Sequence, residues 1–170
     1  MRVFSRSILV IGFVALLAAN ARGATVERMS LNQLAARSTQ VIEGNVLGTR
    51  TAWNDEHTLI FTHVTFDVTR VYAGDVRPGR TEFQLIGGEA DGIRLSVPGT
   101  VMLEPGEHVV LFIDDSRSYQ CPIVGLGQGK LVVSRDPASG EEWVGNRFIG
   151  HFTRDFLRDQ IVQAREGTSP

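Results

Sequence analysis

The chain has 170 residues, with 17 basic against 19 acidic side chains, one cysteine, 42% hydrophobic and 21% charged residues. That length and balance fit one packed domain and exclude a disordered chain. One cysteine excludes an internal disulfide framework, and a formal net charge of −2 argues against a surface built to neutralise nucleic-acid phosphates.

The N-terminus reads as a secretory signal peptide. Arg2 and Arg6 give a positive start, Ile8 to Ala19 an apolar run, and Ala19-Asn20-Ala21 a small-x-small cleavage pattern. The apolar run is too short for the ~20 residues that span a bilayer. Residues 1–21 are therefore expected to be removed, leaving a single β domain over 22–170 that is exported to the periplasm or medium, with no stable membrane span. Losing Arg2 and Arg6 leaves 15 basic against 19 acidic residues. Lys130 is the only lysine, and the arginines are scattered, so no basic stripe emerges.

A short helix comes next. Ser30 and Gln33 form a capping-box pattern, with Met29 and Leu34 at the staple positions and Leu31, Leu34 and Ala35 on one apolar stripe. Strands follow. Gln40 to Leu47 reads as the first, and Thr49 to His57 as a long hairpin loop. Leu59 to Tyr72 is the clearest, because Ile60, Val64, Phe66 and Val68 alternate with polar residues. Its phase slips at Arg70-Val71, which predicts a bulge or a bend. Thr81 to Ile86 and Gly92 to Val97 read as further strands. Val109 to Ile113 is continuously apolar, which predicts burial on both faces. Ile123 to Val133 reads as an extended segment interrupted by glycines, and Asp136 to Gly140 as a turn joining Leu131–Ser134 to Glu141–Val144. Thr153 to Arg165 reads as a helix facing inward through Phe156 or Leu157, Ile161 and Ala164. Glycines inside strands are what a curved sheet needs at its corners. The fold class expected is mainly β, a small antiparallel OB-like barrel or a sandwich, with a helix near each end.

The stretches Gln40 to Val46 and Phe61 to Gly74, with Pro105 to Phe112 and Val124 to Val132, resemble a group of uncharacterised secreted bacterial proteins that brings no activity. The opening hairpin is similar, more distantly, to the netrin-like modules of tissue inhibitors of metalloproteases. That resemblance implies an oligonucleotide/oligosaccharide-binding barrel. It does not imply the inhibitory mechanism, which needs an N-terminal cysteine and several disulfides; here only Cys121 exists.

Chemistry-bearing patterns are few. Gly125 to Lys130 resembles a phosphate loop but lacks the leading glycine and the Ser or Thr after the lysine. His57, His63, His108 and His151 show no metal-ligand spacing, and no Gly-x-Ser-x-Gly elbow occurs. Glu104 and Glu107 flank a Pro-Gly turn. Cys121 has no activating neighbour and reads as a buried thiol, although an odd cysteine also permits an intermolecular disulfide. No catalytic residue, metal or cofactor is assigned. Trp53, Asp55 and His57 are the candidate binding residues: an aromatic beside polar groups can stack on a ligand, or Trp53 can fold back to plug the barrel mouth. The function expected is an exported, non-catalytic binding module for an unknown protein or glycan, with no nucleic-acid partner. The alternatives are a structural cell-envelope component and, third, a hydrolase.

Overall fold

The computed structural model describes residues 27–117 and 121–167, which form two α-helices and nine strands. The expected signal segment, 1–21, lies outside them. Helix α1 (Leu31–Arg37) starts as its sequence predicts: Ser30 Oγ accepts from the Gln33 amide at 3.2 Å, and Gln33 Oε1 accepts from the Ser30 amide at 2.8 Å. Strands β1 (Gln40–Trp53) and β2 (Ile60–Ala73) form a long antiparallel hairpin. Strand β3 (Gly79–Ile86) extends it beyond β2. Strands β4 (Gly88–Ala90) and β5 (Ile93–Leu95) make a separate two-stranded ribbon. Strand β6 (His108–Ile113) pairs with β1, then β7 (Lys130–Arg135), β8 (Glu142–Asn146) and β9 (Gly150–Phe152) follow, giving the order β3-β2-β1-β6-β7-β8-β9. Helix α2 (Arg154–Glu166) ends the described chain, capped by the Thr153 side chain.

The centre of this sheet is buried on both faces. On one face Ile42, Val64, Phe66, Val68, Leu85, Val109 and Leu111 pack with Val101, Leu103 and Ile123. On the other, α1 and α2 press Leu34, Ala35, Leu157 and Ile161 onto Val41, Val110, Phe112, Leu131 and Val144. This explains the uninterrupted apolar run of β6: alternate residues serve opposite cores. The expected phase slip is also present. Glu43 lies opposite Arg70 but Gly44 opposite Val68, so Thr69 is extra; Tyr72 is extra in the same way. These bulges turn Tyr72 to the helix-covered face while Val71 stays on the other. Gly44 sits in this kinked stretch because a side chain there would strike the Asp67 carbonyl.

The mainly antiparallel β class holds, with a helix near each end; among the described residues the sheet is not closed and has β3 and β9 as its edges, which fits a sandwich or an open barrel. Three expectations are corrected. The long loop at Thr49 to His57 is mostly strand. Pairing runs to Trp53 opposite Ile60, and Asn54 Oδ1 holds a short turn by accepting from the amides of Thr58 and Leu59, each at 2.8 Å. Ile123 to Val133 is broken: Gly125 takes φ 64°, and a 3-10 turn over Leu126–Gly129 precedes β7. Gly92 to Val97 supplies only the short β5, because Asp91 (φ 52°) and Gly92 (φ 75°) turn the chain back onto β4 and leave Ile93 55% exposed. Cys121 is buried, and burial pushes its thiol pKa up. Among the described residues no helix is long and apolar enough to cross a membrane.

Candidate functional site

The far end of the β1–β2 hairpin forms the floor of a cleft of about 370 Å³. Thr49 and Thr51 of β1, Thr62 of β2 and Leu85 of β3 contribute to it; the β4–β5 ribbon is one wall and residues 96–105 are the other. Each wall is fastened. Thr51 Oγ1 donates to the Glu89 carbonyl at 2.5 Å, and Thr62 Oγ1 to the Gly87 carbonyl at 2.8 Å. Gly88 (φ +131°) has to be glycine, since a Cβ would lie 2.6 Å from Thr51 Cγ2 and 2.8 Å from Thr62 Oγ1. The opposite wall is nailed by Val101 and Leu103, both 5% exposed, while Met102 between them is 78% exposed. Lys130 Nζ donates to the Met102 carbonyl at 2.8 Å and to both Glu107 carboxylate oxygens at 2.7 Å. The lysine of the phosphate-loop-like segment is thus a strut of the cleft.

The sequence-derived candidates sit beside this cleft and do not line it. Trp53 is half-buried at the end of β1, and its Nε1 donates to Asp91 Oδ2 at 3.0 Å, tying down the ribbon tip. His57 stacks on it, with ring centroids 5.8 Å apart and planes 14° from parallel. Asp55 is exposed in the intervening turn. The structure therefore brings Trp53 and His57 together, and Asp91 joins them in place of Asp55.

A second constellation escaped the sequence reading. Glu43, 2% exposed, points to the helix-covered face near the start of β1. Tyr72 Oη donates to Glu43 Oε2 at 2.6 Å, and Arg154, the first residue of α2, donates through Nη2 to Oε1 at 2.7 Å. His108 Nε2 lies 3.0 Å from Oε1 but makes no aligned hydrogen bond. Arg154 Nη1 also pairs with Glu142, which accepts in turn from Arg135 at 2.8 Å. Burial pushes the Glu43 carboxyl up, but the hydrogen bonds from Arg154 and Tyr72 and the charges of Arg154 and His108 outweigh it and hold it below the ordinary range. Tyr72 is pushed up to about 12 by burial and by its bond to Glu43. Buried and held by Tyr72 of β2 and Arg154, the Glu43 carboxylate ties the β1–β2 hairpin to the first turn of α2, so this cluster clamps α2 to the sheet. Its signal in the sequence is a lone acid inside the apolar run Val41 to Val46; the partners lie far along the chain and could not be named.

Among the described residues no group of three His, Cys, Asp or Glu side chains is placed to hold a metal ion. Compared with family models, curated proteins and solved structures, the chain has no significant match.

Proposed function

We propose that this protein is an exported binding module that holds its ligand in the cleft between the β4–β5 ribbon and residues 96–105, without acting on it chemically. The observation that carries this reading is the fastening of both walls: Thr51, Thr62 and Trp53 on one side and Lys130 on the other hold open a space of about 370 Å³. That volume falls within the ~300–1,000 Å³ of ordinary ligand sites. Preorganised walls lower the ordering cost of binding. Export is supported by Arg2, Arg6, the apolar run and Ala19-Asn20-Ala21. The test compares mature wild-type protein with a variant whose cleft is filled, Val97→Trp, for retention of components from an envelope extract. Saturable retention by the wild type alone is expected; equal retention by both would remove the cleft from the reading.

One observation favours the second reading, a structural envelope component. The outer side of β9 borders an open groove of about 680 Å³ that includes Phe152 and Phe156, and Phe156 is 50% exposed. Exposed aromatic surface of this kind is covered in assemblies. Sedimentation of the protein from native extract decides: a lone monomer contradicts that reading.

A further inference from the structure

We infer that the cleft takes a single aliphatic chain, an alkyl or acyl group, whose uncharged or zwitterionic head stays in water at the rim. This rests on the cleft being the ligand site. The lining selects the ligand class. Leu85, Leu95, Val97, Val101, Met102 and Leu103 line it, and no aromatic ring does. A sugar therefore finds no flat apolar face to stack on. A polyol also finds few replacement hydrogen bonds. The Thr51 and Thr62 hydroxyls are already committed to the ribbon carbonyls, which leaves Thr49, Ser96 and Thr100 as the other hydroxyl-bearing side chains of a lining that is otherwise mostly aliphatic. A ligand rich in hydroxyl or amide groups would give up bonds to water and regain few. A methylene chain loses nothing of the kind, and it gains from each carbon removed from water.

The rim selects the head. Arg94 donates to Glu89 Oε2 through Nη2 at 2.9 Å and through Nε at 3.1 Å, with side chains 76% and 54% exposed, so this pair is outside the apolar space and neutral in sum. Glu104 also lines the cleft and adds a carboxylate. An anionic head meets an excess of acid there; an uncharged or zwitterionic one does not. Exposed Met102 and Ile93, 78% and 55% accessible, extend apolar surface beside the opening, where a longer chain would emerge.

The experiment titrates isotope-labelled mature protein with alkyl phosphocholines of about six to ten carbons, kept below micelle formation, and follows methyl and amide signals. The expected result is a Kd that falls about fourfold per added methylene, the equivalent of ~0.8 kcal/mol, until the cleft is full. Shifts centre on Leu85, Leu95, Val97 and Val101. Val97→Trp abolishes them, and Leu95→Trp, on the opposite wall, does the same should the first variant fold poorly. Alkyl carboxylates of equal length bind more weakly. Affinity without length dependence, or binding retained by the filled variants, overturns the proposal; carboxylates that bind more tightly overturn the head-group assignment. Its failure is distinguishable from failure of the binding reading. If the wild type retains an extract component that Val97→Trp does not while alkyl chains fail, the cleft binds something other than an aliphatic chain; if neither binds, both fall.

Discussion

Strand β1 carries two very different regions. Near its start Glu43 is buried under α2 with Tyr72, Arg154 and His108 around it; near its end Thr49 and Thr51 border an open, aliphatic cleft. At the first, charges taken out of water are matched by donors, and breaking one match strands the others. At the second, apolar surface is left uncovered while the Thr51 and Thr62 hydroxyls fasten one wall. The contrast separates two ways of anchoring a strand: a buried ion cluster fixes the helix on the sheet, whereas fastened walls leave an apolar space open to solvent.

The largest effect that sharpens this comparison is expected at Glu43. Glu43→Ala leaves Tyr72 without its acceptor and the partly buried Arg154 with Glu142 alone, and should cost ~3–5 kcal/mol in denaturant melts. Thr51→Ala, at the other end of the same strand, removes one exposed bond to the Glu89 carbonyl and should cost about 1 kcal/mol or less. Equal losses would show that the two ends are held alike. Adding Arg154→Ala to Glu43→Ala should cost little more than either change alone, because one cluster is lost once.

A smaller effect separates the regions by pH. The folded-state pKa of Tyr72, about 12, lies above its ordinary value of 10.0, so folding holds this proton more tightly. Its contribution to stability is therefore complete below pH 10 and disappears as pH rises toward 12. Burial of Cys121 acts in the same direction from its ordinary 9.0. Tyr72→Phe should flatten the part of the alkaline loss that belongs to the cluster; an unchanged melt profile would contradict the Tyr72–Glu43 bond. Glu43 works in the opposite sense. Its carboxyl is held below the ordinary 4.5, so its contribution is present above that pH and is lost as pH falls through the lowered value.

Smaller again is the strut of the cleft. Lys130→Met removes the bonds to Met102 and Glu107 and should cost about 1–2 kcal/mol, with faster amide hydrogen exchange in residues 101–107 and no change in α2. Uniform acceleration would mean that Lys130 supports the whole fold. The least disruptive probe is Cys121: its buried thiol should react slowly with a thiol reagent in the folded protein and quickly once unfolded, and rapid labelling of the folded monomer would contradict its burial.

What the sequence disclosed follows from range. The capping box of α1, the inward alternation of β2, the two-faced burial of β6 and the Asp136 turn rest on neighbours within a few residues, and each was legible. The short β9 was not, because its turn is set by Asn146, whose amide donates to the distant Gln128 and Lys130 carbonyls while its Oδ1 accepts from Phe148. The same limit hid the candidate site. Trp53 was legible as an exception in its loop, but its partner Asp91 was not, and the cleft exists only because residues 96–105 fold back across the floor. Lys130 read as part of a glycine-rich segment; only the fold shows that its charge reaches Glu107.

The most direct measurement is methyl NMR of the protein under xenon pressure, since xenon seeks apolar space and has no head group to mislead. Graded shifts are expected at Leu85, Leu95, Val97 and Val101 around the cleft, with Val144, Leu157 and Ile161 beneath the helices unmoved. Shifts strongest under the helices, or spread evenly over both regions, would contradict the division of the molecule into a packed end and an open one.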